Sequence, residues 1–129
     1  MMMSPSAALV GAGEQAFGHV EIPWMPMTGT RDRSVISGET AASRLRVYPA
    51  LPPGGKYELL LEGAEHNAFG DRAPGPHRPP RNPNHHRVIL ALSTAFWDAK
   101  LLGNEAAAQW LLGDAPRELM QPGDRFQHK

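Results

Sequence analysis

The chain has 129 residues, of which 41% are apolar and 20% charged, a composition typical of one globular domain and not of a disordered segment. Its 13 basic and 13 acidic residues cancel to a formal charge of zero, which argues against nucleic acid and anionic membranes as partners. The lack of cysteine excludes disulfides, thiol catalysis and cysteine-bound zinc. No run of residues has the length and apolarity of a membrane helix or a signal peptide, so the compartment stays open, with the cytoplasm as the default.

Three apolar stretches in the first half of the chain predict buried strands. The Met1–Met3 triplet, followed by Ser4 and Pro5, is typical of the end of such a strand. Residues 20–28 and 56–62 are apolar at successive positions, as in a parallel sheet that is covered on both faces. Pro26 removes a backbone donor, so we expect a local break or an edge position there.

The segments between and after these strands predict three helices. A short amphipathic helix over residues 41–48, capped near Ser37, gives a strand–helix–strand order and therefore a right-handed parallel crossover. Asn82 and Pro83 begin a long helix that ends before Gly103. Residues 104–112 form another helix, and residues 116–129 are expected to be a polar tail with one turn.

An aspartate and a histidine follow the two longer strands. Asp32 comes after the turn that begins at Gly29, and His66 lies in the loop after residues 56–62. Parallel strands bring these loops to one edge of the sheet, which is where α/β folds bind ligands. An imidazole can carry a proton between nucleophile and leaving group, and a carboxylate can orient it. The chain order, acid and then base, matches the last two members of an α/β-hydrolase triad.

Other roles for these two residues, and other candidates for the triad, fit the sequence as well. Asp32 is suited to cap the loop or helix that follows it, and His66 to be a half-buried histidine that backbone groups satisfy. Asp71 is a rival acid, although its closeness to His66 favours a turn. A mid-helix position favours Ser93 bonding back to its own helix, and two serines near Asp32 are suited to turns and caps: Ser34 and Ser37.

A metal site and an aromatic platform are weaker interpretations of the same region. His77, His85 and His86 together with His66 suggest ligands, but adjacent histidines point to different faces of a helix, so we predict no metal and no cofactor. The tryptophans and phenylalanines favour a core role. Phe69, three residues after His66, is the exception that would line an acyl pocket.

Three segments of the chain resemble α/β-hydrolases of the dienelactone-hydrolase and chlorophyllase-like branch. They are residues 23–32 (PWMPMTGTRD), 44–57 (RLRVYPALPPGGKY) and 63–69 (GAEHNAF), and the resemblance runs from about residue 4 to residue 129. It implies that Asp32, after the seventh strand of that fold, is the triad acid and that His66, after the eighth, is the base. Pro26 departs from the family pattern, since an aliphatic residue is usual there.

The resemblance covers only the C-terminal part of the hydrolase fold. The family nucleophile, a serine in a Gly-x-Ser-x-Gly turn, is missing here, and the oxyanion-hole amides lie in the same missing part. The chain is thus expected to be one partial α/β domain, 1–129, with about two to three parallel strands and flanking helices. An exposed sheet edge and a tendency to aggregate or to need a partner follow.

The resemblance implies a carboxylic-ester hydrolase whose substrate is a small-molecule ester and whose C-terminal segment is inactive alone. Two alternatives stay open. The chain is a non-catalytic interaction fragment, or one half of a split hydrolase that a separate N-terminal half-chain completes. A misplaced start codon in a full-length hydrolase is the remaining interpretation.

Overall fold

The computed structural model describes residues 1–6, 13–34, 36, 38–70 and 80–129. The strands are β1 (Met2–Met3), β2 (Pro26–Gly29), β3 (Tyr57–Leu61) and β4 (Arg125–His128). The α-helices are α1 (Gly13–Phe17), α2 (Ala41–Arg44), α3 (Val47–Ala50), α4 (Pro83–Leu101) and α5 (Glu105–Leu112), and two 3-10 helices span His66–Phe69 and Ala115–Leu119.

The strands form one mixed sheet in the order β1-β2-β3-β4. The first three strands run parallel, with Met3 paired to Met27 and Gly29 to Leu61. β4 runs antiparallel to β3. The parallel pairing that the predicted crossover requires is confirmed, and so is the end of a strand at the methionine triplet.

Alternation of side chains along the strands divides the core between the two faces of the sheet. On one face, alternate residues of β2 and β3 pack against the buried stripe of α4; this cluster includes Met27, Leu59, Leu61, Val88, Leu92 and Phe96. The other face carries Glu58 and Leu60, which are also buried. α2 contacts β2, and α1 contacts α3. Because both faces of β3 are buried, its sequence does not alternate between apolar and polar residues.

Pro26 is the first residue of β2, and its missing backbone donor explains why the regular strand does not begin earlier. An isolated bridge joins Trp24 to Lys56, and regular pairing with β3 resumes only at Met27. The strand is therefore shorter than the predicted 20–28, and Ile22, inside that range, is 71% exposed. The predicted local break is confirmed, although β2 lies inside the sheet and not at its edge.

The helix expected over residues 41–48 is two short helices, α2 and α3. Pro49 is the physical reason, because its ring would clash with the carbonyl of Leu45 in a continuous helix, whereas the first turn of α3 tolerates it. Thr40 caps α2 by accepting a hydrogen bond from the Ser43 amide. Ser37, the predicted cap, lies outside the described residues.

The polar tail expected over residues 116–129 is wrong, since it contains a 3-10 helix and β4. Phe126 is buried and its ring stacks on Tyr57, with ring centroids 6.1 Å apart. Arg125 and Gln127 both donate to the buried Glu58 carboxylate of β3. The side chains that hold this strand make one apolar and two polar contacts. These are too few to produce a recognisable sequence pattern.

α4 and α5 follow the sequence closely. Asn82 caps α4 by accepting from the Asn84 amide, and Asn104 caps α5 by accepting from the Ala107 amide. Both caps and their polar–apolar periodicity are local signals, so the sequence predicts them well.

Candidate functional site

Asp32 and His66 leave the same edge of the sheet because β2 and β3 end in register. Gly29, the last residue of β2, is paired with Leu61, the last of β3. Asp32 lies three residues beyond the first of these ends, and His66 opens a 3-10 helix five residues beyond the second. The predicted placement of the two residues at the carboxyl edge is confirmed by this register.

The two loops that carry these residues are hydrogen bonded to each other. The Thr30 amide donates to the Leu61 carbonyl at 3.0 Å, and the Arg31 amide to the Ala64 carbonyl at 3.1 Å. In return, the Gly63 amide donates to the Thr30 hydroxyl at 2.8 Å. The loops therefore form one unit, and the separation of Asp32 and His66 follows from it.

Gly29 permits this close approach of the loops. A Cβ atom at this position would lie 2.1 Å from the Ala64 carbonyl oxygen and 2.6 Å from the Ala64 Cβ. Neither atom can move without displacing the backbone that precedes His66. A glycine is required here by space, since its φ is unexceptional.

The Asp32 carboxylate is fully buried and has two partners on each oxygen. Oδ1 lies 3.0 Å from His66 Nδ1 and 3.3 Å from Arg44 Nε. Oδ2 accepts from the Ser4 hydroxyl at 2.5 Å and from the Thr28 hydroxyl at 3.0 Å. One cation and three hydrogen-bond donors offset the cost of taking this charge out of water.

The contact with Asp32 fixes the proton on the His66 ring. A carboxylate oxygen accepts, so Nδ1 carries the hydrogen that it donates, and in the neutral ring Nε2 then has a free lone pair. The His66 side chain is 58% exposed, whereas that of Asp32 is 0% exposed. The ring is thus anchored on its buried side and open on the other, and it can exchange a proton with a reactant.

Phe69 and His66 line one shallow cavity of about 300 Å³ beside β1, together with Met3, Ser4, Asn67 and Gly70. Phe69 is partly buried and packs against the core cluster. A second cavity of about 250 Å³ lies at the start of α4, between Arg31, Glu65 and His85. His66 does not line it, so the first cavity is the one that belongs to the Asp32–His66 pair.

Other candidates from the sequence lie apart from this pair or outside the described residues. The Ser93 hydroxyl donates to the Leu90 carbonyl of its own helix, as predicted. His85 is buried, with Nε2 2.9 Å from the Glu62 carbonyl oxygen. Among the residues described, no group of three or more His, Asp or Glu side chains is close enough to hold a metal ion. Asp71 and His77, the remaining candidates, lie outside the described residues.

Asp32 does not cap the helix that follows, since Thr40 has that role. Ser34, predicted to serve a turn, accepts from the amide of Ile36.

Three partners of Asp32 were missed by sequence reasoning: Ser4, Thr28 and Arg44. Ser4 is 28 positions from Asp32, and Arg44 is in the helix after it. An arginine in a short amphipathic helix is typical of a solvated face, yet the Arg44 side chain is 1% exposed. Only Thr28, four residues before Asp32 at the end of a strand, had a local signal.

No protein family, curated protein or solved structure matches this chain in the three comparisons made. In the described part of the chain, no helix is both long and apolar enough to span a bilayer.

Proposed function

We propose that this chain is the C-terminal segment of a serine carboxylic-ester hydrolase of the α/β-hydrolase type, and that it supplies the triad acid, Asp32, and the base, His66. The observation that carries the proposal is the 3.0 Å contact between His66 Nδ1 and Asp32 Oδ1 at the carboxyl edge of parallel strands. A buried acid beside a half-exposed imidazole is the arrangement that acyl transfer requires.

The proposed chemistry assigns one step to each residue. His66 Nε2 takes the proton of a serine hydroxyl as its oxygen attacks the ester carbonyl carbon, and then gives that proton to the departing alcohol oxygen. Asp32 keeps the hydrogen on Nδ1 and stabilises the imidazolium that forms in between. Water repeats the sequence on the acyl-serine, releasing the acid. The zero formal charge of the chain suits a neutral ester, and Phe69 would contact its acyl group.

The serine of this mechanism has to come from outside the 129 residues. They contain no Gly-x-Ser-x-Gly sequence. Ser4 lies near the pair, but its hydroxyl donates to Asp32 Oδ2, on the acid side and away from His66 Nε2. Loss of a triad nucleophile costs on the order of a millionfold in turnover, so we expect no esterase activity from this chain alone.

A second candidate is a non-catalytic interaction fragment, or one half of a split hydrolase, and the position of β1 favours it. In the described residues, β1 is the last strand on its side of the sheet. Met3 of this strand is 37% exposed and borders the His66 cavity. The outer edge of β1 therefore offers backbone groups to a strand of a partner chain.

The coding DNA upstream of Met1 tests the two candidates. The hydrolase proposal expects a continuous frame that encodes Gly-x-Ser-x-Gly roughly 50–90 residues before Asp32, a window set by usual strand and loop lengths. A separate neighbouring frame that encodes this sequence would favour the split hydrolase. The extended or co-expressed protein should then hydrolyse p-nitrophenyl butyrate. A His66→Gln variant should lose about 10⁴- to 10⁶-fold in kcat, and His19→Gln, at an exposed turn, should lose nothing.

Two outcomes would contradict the hydrolase proposal. One is an extended esterase that keeps its activity in the His66→Gln variant. The other is the lack of any serine-bearing frame together with an inactive chain, which would favour the interaction fragment.

A further inference from the structure

Ser4 has an unfavourable backbone conformation. Its φ is +50°, and within the described part of the chain it is the one residue other than glycine with a positive φ. Left-handed backbone costs energy for a residue with a Cβ, so surrounding contacts have to hold it. This conformation ends β1 and turns the Ser4 hydroxyl to Asp32 Oδ2.

The side chain of Arg44 supplies the holding contacts. Its Nη1 donates to the carbonyl oxygens of Ser4 at 2.6 Å and Pro5 at 3.1 Å. Its Nη2 lies 3.5 Å from Glu39 Oε2, and its Nε 3.3 Å from Asp32 Oδ1. The contacts of Nη1 and Nη2 are hydrogen bonds, whereas Nε makes an ion-pair contact with Asp32 without hydrogen-bond geometry. A lysine ammonium could not reach all four acceptors.

We propose that Arg44 is the positioning residue of the acid–base pair: by clamping the turn at Ser4 and Pro5 against Asp32, it aims Oδ1 at His66 Nδ1. Arg44 lies beside Oδ1, and the two hydroxyls donate to Oδ2. The remaining accepting position of the carboxylate is on Oδ1, and His66 occupies it. The catalytic consequence rests on the proposed function. The positioning itself is measurable in this chain without any nucleophile.

The readout is the tautomer of His66. A neutral histidine side chain that is free in water carries its hydrogen mainly on Nε2. Hydrogen on Nδ1 therefore shows that the Asp32 carboxylate is placed to accept from that nitrogen. Side-chain ¹⁵N shifts distinguish the two nitrogens, and at about pH 8.5 an ordinary imidazole is neutral. We expect the wild-type chain to carry the hydrogen on Nδ1.

Arg44→Met and Arg44→Lys should both shift the His66 hydrogen towards Nε2, inverting the wild-type ratio in the methionine variant. The matched control is Arg125→Met. Arg125 also pairs with a buried carboxylate of this sheet, Glu58, at 2.9 Å, but on the strand away from the site. Its loss destabilises the fold without touching Asp32, so the control should keep the wild-type tautomer.

A wild-type tautomer in a folded Arg44 variant would overturn the proposal. Should both Arg44 variants fail to fold, Ser4→Ala decides the outcome, because it removes only the hydroxyl through which the clamped turn contacts Asp32. A shift towards Nε2 in that variant supports the positioning, and an unchanged tautomer overturns it. An Arg44-dependent tautomer in this chain, together with an extended or co-expressed protein that has no esterase activity, would contradict the proposed function and leave this inference standing.

Discussion

Asp32 and Arg44 show how one buried charge depends on another. Both side chains are almost completely excluded from solvent, and Arg44 Nε is 3.3 Å from the carboxylate. A buried pair of this kind contributes little net stability compared with apolar residues, but removal of the Asp32 charge leaves the buried Arg44, among the described residues, with only the 3.5 Å contact to Glu39 as an ion pair. The acid of the proposed triad is therefore also a structural residue.

Asp32→Asn, which keeps the size of the side chain and removes its charge, should lower the free energy of unfolding by about 3 kcal/mol. Urea denaturation followed by circular dichroism measures it. The control is Asp114→Asn, whose partner Arg117 and whose own side chain are both exposed, at 59% and 92%; it should change stability by no more than about 0.5 kcal/mol. Equal losses in the two variants would show that the Asp32–Arg44 contact carries no special energetic role.

At the scale of secondary structure, the sequence predicts what depends on neighbours along the chain. Caps and periodicity define α4 and α5, and continuous apolar runs define β2 and β3. β4 was missed because its place depends on Tyr57 and Glu58, more than sixty residues earlier. The division of α2 from α3 was not predicted either, because Pro49 would clash with a carbonyl four residues earlier, inside the segment predicted as one helix.

The close approach of the ends of β2 and β3 requires a residue without a side chain at position 29. Gly29→Ala should lower the free energy of unfolding by about 3 kcal/mol, since the new methyl group would overlap the Ala64 carbonyl and push the strand ends apart. Thermal or urea unfolding measures the loss. Gly70→Ala is the control, with a change within about 0.5 kcal/mol, because Gly70 has an extended backbone and a Cβ there would meet no atom of the described residues within 4 Å. A Gly29 variant as stable as this control would show that the loops can separate freely.

At the scale of the whole molecule, the site assembles from parts that the sequence keeps distant. The resemblance and the spacing of the strands pointed to Asp32 and His66. The turn at Ser4 and the burial of Arg44 depend on how β1, β2 and α2 pack together, and no local pattern encodes that. The proximity of Asp32 and His66 was therefore predictable, whereas the contacts of Ser4 and Arg44 with Asp32 were not.

Global stability should also depend on pH through Lys56, a fully buried lysine. Burial lowers the pKa of its ammonium below the ordinary 10.5, partly opposed by Glu21 and reinforced by Lys129. The carbonyl of Gly54 accepts from its Nζ at 2.8 Å. Below the lowered pKa, Lys56 is charged in both states, and its burial lowers the free energy of unfolding by the full cost of the buried charge. Between the lowered pKa and 10.5 the unfolded chain binds more protons than the folded one, so the free energy of unfolding rises with pH and this cost disappears.

Comparison with Lys56→Met isolates this effect, because the other titrating groups are the same in both proteins. The free energy of unfolding of the wild-type chain minus that of the variant should rise between about pH 7 and pH 10. Urea titrations at three pH values measure it. A difference that stays constant or falls would mean that the lysine keeps its ordinary proton affinity in the fold.

The reciprocal bonds between the loops after β2 and β3 have a consequence for thermal motion. The Arg31 amide bonds to the Ala64 carbonyl and the Gly63 amide to the Thr30 hydroxyl, so neither loop can open without releasing groups of the other. We therefore expect them to fluctuate as a single cooperative unit. The distance between the Asp32 carboxylate and the His66 ring should then change little when the sheet fluctuates, because a displacement of one loop moves the other with it.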